Sequence, residues 1–217
     1  MMSVIKSTFC DSRRSPEYDV VKTQNKAYEE RMYNPSVWVS TSTIIDPAIA
    51  SDNGTTAKKD ENEPCCKLFG YIQGQNEGNH YMDMTFPVIN DYTTENGPKG
   101  ESKRTLSFFV PREFEEKTPL PTDPDIYINQ QPAMTVYAMK FGGFANDEKC
   151  LKEKEKFMAI LEADGVKVKR DAFYCAFYNT PLKLFNRKNE IWLVKEMKES
   201  KEQPFVKSPT LDVEREQ

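Results

Sequence analysis

The chain has 217 residues, 38% hydrophobic, 12% aromatic and 29% charged, with a net charge of −4. That composition suits one ordinary domain with tails, less apolar than usual but aromatic enough to build a core. The acidic balance asks for no nucleic-acid partner, and no run is long or apolar enough to span a membrane.

Residues 1–16 are polar and mixed, lack the apolar stretch of a secretory signal, and read as a flexible start. Residues 18–22 can pair as a short strand. Residues 28–33 alternate weakly and stop at Asn34-Pro35, and Val37-Trp-Val-Ser-Thr41 has strand composition. Residues 50–64 hold almost nothing apolar and read as a mobile polar loop. Residues 65–72 supply the remaining turns of a helix that closes at Gly74. A loop at 76–79 leads to a strand over 81–88, in which Pro87 implies an edge or a bulge. A polar turn over 90–101 and a strong strand over 104–110 follow. Residues 114–124 wrap to the second half, where 126–128 form a short strand.

The strand Met134-Thr-Val-Tyr-Ala-Met-Lys-Phe141 stops at Gly142-Gly143. Asn146 and Asp147 are N-cap types, and Glu148 favours the first turn of the helix they open. Cys150, Leu151, Phe157, Met158 and Leu161 share its apolar side, and Gly165 ends it. Strands over 172–178 and 190–194 are joined by a loop carrying Asn179, Pro181 and Asn186. Residues 196–217 read as a charged tail whose end matches no retention or peroxisomal signal, which leaves 17–195 as the domain proper.

The element order repeats. Residues 28–33, Trp38, the first helix, 84–88 and 106–110 correspond to 126–128, 136–141, the second helix, 174–178 and 191–194. The expected fold is α+β: a distorted β-barrel of two pseudo-symmetric strand-helix-strand-strand halves with two flanking helices.

Chemistry-bearing motifs are sparse. There is no GxSxG, P-loop, HExxH or GxGxxG pattern, and the single histidine, His80, excludes any site needing two. His80 reads as an exposed loop residue, with metal or haem ligation as the alternative. Five cysteines at irregular positions fit neither a disulfide framework nor a zinc pattern, and a reduced, cytoplasmic setting is expected. Cys10, Cys150 and Cys175 read as core or incidental. Cys65 reads either as a small buried hydrophobe or as a thiolate at a ligand cleft, aided by Lys67. The loop over 179–190 sets Leu182, Leu184 and Phe185 between Lys183, Arg187 and Lys188. It suits an amphiphilic anion, or it connects two strands with its apolar residues packed on the sheet.

Six motifs in order resemble the SOUL/haem-binding protein family. They are Tyr28-Glu-Glu-Arg31, Leu68-Phe-Gly-Tyr-Ile-Gln-Gly-Gln-Asn76, Met84-Thr-Phe-Pro-Val88, Phe108-Phe-Val-Pro111, Val136-Tyr-Ala-Met-Lys-Phe-Gly-Gly-Phe144 and Asn186-Arg-Lys-Asn-Glu-Ile-Trp-Leu-Val194, spanning most of the chain. The resemblance implies the same distorted barrel and an intracellular carrier or buffer that reversibly binds haem or another tetrapyrrole, not an enzyme. It implies a cleft between the first helix (Cys65, Lys67, Leu68, Phe69) and the later loop (Lys183, Phe185). There Leu68 and Phe69 would cover the macrocycle, and Lys67 and Lys183 would pair with its propionates. Cys65 stands where some members carry methionine and would offer the iron a thiolate; no axial histidine is required. The family's helix ahead of Leu68 is shortened here by the polar 50–63 segment, which contains Gly54. Two other readings stand beside this one. The first is a protein-interaction module on the same fold, with mitochondrial or cell-death partners and little haem binding. The second is a small-molecule effector-binding or weakly hydrolytic domain.

Overall fold

Ten strands run through the described chain, and all of them join one sheet. The computed structural model describes residues 5–6, 14–24, 27–45, 63–94, 102–180 and 182–196. The expected flexible start, the 50–64 loop and the charged tail lie largely outside these residues. The strands are β1 (Ile5–Lys6), β2 (Tyr18–Gln24), β3 (Tyr28–Tyr33), β4 (Ser36–Ile45), β5 (Val88–Thr94), β6 (Ser102–Phe109), β7 (Ile126–Gln131), β8 (Met134–Phe141), β9 (Ala172–Phe177) and β10 (Asn189–Val194). The helices are α1 (Pro64–Ile72), the single turn α2 (Arg112–Glu115) and α3 (Asp147–Ala163).

The sheet order is β1-β2-β3-β8-β10-β9-β5-β6-β4-β7, antiparallel throughout. From β3 to β7 the order is its own reverse once β3 exchanges with β7, β4 with β8, β5 with β9 and β6 with β10. Each half therefore lends its first strand to the other: β3 pairs with β8, and β7 pairs with β4. This is the expected pseudo-symmetry, with the halves interlocked.

The inner face explains the curl. Tyr33, Trp38, Ile89, Phe109, Val136, Ala138, Ala176 and Trp192 form one buried cluster drawn from both halves. A flat sheet could not bring them together; burying their apolar area requires it to close on itself. On the outer face, α1 seats Leu68, Tyr71 and Ile72 against Val39, Phe108, Val110 and Ile126. The other helix, α3, seats Cys150, Phe157 and Leu161 against Tyr137, Met139, Phe173, Ile191 and Leu193. Lys154, on the same stripe, lies with its ammonium 5.5 Å from the Phe173 ring centroid. Asn146 caps α3 by accepting from the Lys149 backbone N–H, and Gly165, at φ 69°, ends it. Leu151, expected on the buried side, is 46% exposed because it lies about 100° round the helix from Cys150.

Two further sequence expectations need correction. The strand placed over 81–88 and the turn placed over 90–101 give way to β5 at Val88–Thr94. Pro87 cannot donate to a ladder, so pairing begins after it. The polar residues Asn90, Asp91 and Thr93 belong to a strand whose Ile89 faces the inner cluster and whose Tyr92 faces α3. The second concerns Cys150 and Cys175, which are not incidental: a disulfide joins them and fastens α3 to β9. Their separation of 25 and the odd cysteine count hid the pair.

Candidate ligand-binding site

Pro64 opens α1, at the position where its missing N–H costs nothing. Leu68, Tyr71 and Ile72 turn one stripe of the helix into the core. Cys65 and Phe69, one turn apart, consequently share the solvent side, and Phe69 is 51% exposed. Leu68 is fully buried, so it anchors the helix and presents nothing to solvent. Lys67 leans the other way: its ammonium donates to the Asp125 carboxylate and stands 3.9 Å from Asp123.

The Leu68–Asn76 motif acts through its last residue. Buried Asn76 donates from Nδ2 to the carbonyls of Tyr71 and His80, both at 2.8 Å, and its Oδ1 accepts from the His80 N–H at 2.9 Å. Tyr71 donates its hydroxyl to the Pro119 carbonyl at 2.7 Å. The end of α1 is thereby fixed to the 119–125 segment. The exposed His80 ring packs edge-on against Phe114, 6.0 Å between centroids. Among the described residues, no group of three or more His, Cys, Asp or Glu side chains is disposed to hold a metal ion.

The loop between β9 and β10 closes at its neck. The Tyr178 N–H donates to the Lys188 carbonyl, and the Lys188 N–H to Asn179 Oδ1 at 2.6 Å. Inside, the Arg187 guanidinium donates to the carbonyls of Thr180 (3.0 Å), Lys183 (2.7 Å) and Asn179 (3.4 Å), and it lies 4.6 Å from the Phe144 ring centroid. The loop is folded around its own arginine. Its apolar residues point away from the sheet: Leu182 is 88%, Leu184 64% and Phe185 81% exposed. Lys183 is exposed beside them. Asn189 ties the loop base to the end of β8, donating from Nδ2 to the Gly143 carbonyl at 2.9 Å. The contacts described for α1 run to β4, β6 and the 119–125 segment, those of the loop to Asn189, Phe144 and Tyr178. A cavity of about 410 Å³ lies elsewhere, at the end of α3, with Met158, Leu161, Glu162, Val166 and Arg170 in its wall; none of the candidate residues lines it.

Sequence reasoning missed the most polar feature of the interior. Arg31 on β3 reaches past β8 to Glu190 on β10, with Nη1 at 2.8 Å from Oε2 and Nη2 at 3.1 Å from Oε1. Tyr178 (2.7 Å) and Trp192 Nε1 (2.9 Å) also donate to Glu190. Arg31 additionally donates to Glu29 at 2.8 Å and lies 4.6 Å from the Tyr18 ring centroid. Burial alone would raise the Glu190 pKa, but the Arg31 guanidinium outweighs it and holds the carboxyl below its usual value. Burial pushes the Tyr33 and Tyr178 hydroxyls well above theirs. With four hydrogen bonds accepted, Glu190 is a structural carboxylate. The signal was present, since Arg31 and Glu190 lie within two of the six motifs, but nothing along the chain says that they meet.

A family model described as SOUL heme-binding protein matches residues 13–194. The chain belongs to this family. Among its SOUL relatives, Heme-binding protein 2 of Homo sapiens is 36% identical over 180 residues, 82% of this chain and 83% of that one. Heme-binding protein 1 of Sus scrofa is 28% identical over 201 residues, 90% of this chain and 100% of that one. The crystal structure of the EcmrR C-terminal domain is similar at a TM-score of 0.50 and 13% identity, covering 78% of this chain and 98% of that domain, a likeness of fold alone. The family and these two relatives carry the names of binding proteins. Among the described residues, no helix is long and apolar enough to cross a membrane.

Proposed function

We propose that this SOUL-family chain reversibly binds haem, or a closely related tetrapyrrole, as a carrier or buffer and not as an enzyme. The observation that carries the reading is the outward face of α1, where an aromatic ring and a thiol stand one turn apart in solvent. A macrocycle laid on Phe69 would remove apolar surface from water on both partners, favourable by roughly 25 cal/mol per Å². The residues fit the group: Phe69 and Phe185 offer apolar cover, Cys65 offers sulfur to iron, and Lys183 offers a cation to a propionate. Lys67 is paired with Asp125, so we assign it to holding the 119–125 segment and leave the propionate to Lys183. Bound haem supplies the redox-active iron; the protein residues supply cover, charge and one soft donor.

Haemin titration followed by absorbance tests this. The expected result is a saturable one-to-one Soret shift, weakened about tenfold by Phe69→Ala or Lys183→Glu, a change of about 1.4 kcal/mol. Cys65→Ala should change the position of the bound Soret band. A titration that never saturates, or that is indifferent to all three substitutions, overturns the proposal.

A further inference from the structure

The loop between β9 and β10 carries more exposed apolar surface than two haem contacts explain, and its charge departs from that of the chain. Residues 179–189 contain Lys183, Arg187 and Lys188 and no acid, within a protein of net charge −4. At the tip, Leu182, Leu184 and Phe185 are each at least 64% exposed. Beneath them Arg187 takes up three of the loop's carbonyls, those of Asn179, Thr180 and Lys183. A loop that enters an apolar medium has to satisfy its own carbonyls. We propose that this loop is a lipid-surface finger: Leu182, Leu184 and Phe185 enter the boundary between headgroups and acyl chains, while Lys183 and Lys188 meet anionic phospholipid headgroups.

Three features favour a bilayer over a protein partner. Three side chains on one projecting tip fall short of the roughly 800 Å² per partner of a stable protein interface, whereas they suffice for interfacial insertion supported by charge. The local positive charge complements an anionic leaflet and is set against the sign of the chain. The loop is also pre-folded by Arg187 and closed at its neck by Tyr178, Asn179 and Lys188, so docking orders little. The inference does not rest on the haem reading, since Leu182 and Leu184 lie outside the haem contacts proposed above.

The test is co-sedimentation of the full chain with phosphatidylcholine vesicles, with and without phosphatidylserine, beside the double variant Leu182→Ser/Leu184→Ser. Binding is expected with phosphatidylserine, should weaken as salt is raised, and should fall about tenfold or more in the double variant. No binding to phosphatidylserine vesicles, or equal binding by the variant, overturns it. A haemin titration of the same variant separates the two proposals. Lost vesicle binding with haemin binding retained supports the finger alone. Lost haemin binding with vesicle binding retained makes the loop a ligand wall and overturns the finger.

Discussion

Replacing Arg31 with methionine leaves the Glu190 carboxylate buried with two of its four donors, Tyr178 and Trp192. The lost donors are the guanidinium nitrogens at 2.8 and 3.1 Å. Each charge-assisted bond is worth about 1.5–3 kcal/mol, and breaking a buried pair from one side costs about 3–5 kcal/mol. In a domain of this size each kcal/mol moves Tm by about 2–4 °C, so a fall of about 10 °C is expected. Urea unfolding at neutral pH gives the free energy directly. The double variant Arg31→Met/Glu190→Leu should lose much less than the sum of the single changes, because it leaves no orphan charge. The pH dependence adds a sign. In the intact protein Glu190 has its pKa lowered, so its contribution is present above the unfolded value and is lost as pH falls through the folded one. Without Arg31, burial governs and pushes the pKa up. The single variant should then be closer to the intact protein at pH 5 than at pH 7. Strict additivity in the cycle, or a single variant within about 1 kcal/mol of the intact protein, would refute the reasoning.

Three further outcomes follow from the structure. Alkylation of the unreduced, unfolded chain should leave Cys150 and Cys175 protected and Cys65 and Cys66 labelled, and Cys175→Ala should cost about 2–4 kcal/mol in thermal unfolding; ready labelling of Cys150 would contradict the bridge. Asn76→Ala removes three hydrogen bonds that fix the end of α1 and should cost about 2–3 kcal/mol, whereas an unchanged melt would show that the 73–81 turn holds without them. Spectrophotometric alkaline titration should find Tyr33 and Tyr178 un-ionised until the chain unfolds, because burial raises both; full reversible ionisation of all tyrosines in the folded protein would contradict their burial.

The repeat of element order was readable because each half is punctuated by residues with one local job: Asn34-Pro35, Gly142-Gly143, Asn146 and Gly165. Strand β5 was not, because Asn90, Asp91 and Thr93 read as turn chemistry until their neighbours Ile89 and Tyr92 are buried by opposite faces of the sheet. The exchange of β3 and β7 between halves is a matter of which edges meet, and composition carries no mark of it. Within the site, Phe69 and Cys65 were named from sequence and do stand in solvent. Leu68, named with them, belongs to the core, since its neighbours at i+3 and i+4, Tyr71 and Ile72, fix the buried stripe. Lys67 was legible as a cation but not as the partner of Asp125, which is 58 residues away. Arg31 and Glu190, 159 residues apart, illustrate the same limit: a charge in a strand announces itself, and its partner does not.

The most direct test of the haem proposal is a map of where the ligand sits. Backbone amide NMR of the full chain with added haemin should broaden or shift resonances at Cys65, Phe69, Lys183 and Phe185, and leave Glu162, Val166 and Arg170 around the α3 cavity unmoved. Perturbation centred on that cavity, with the outer face of α1 unaffected, would contradict the account.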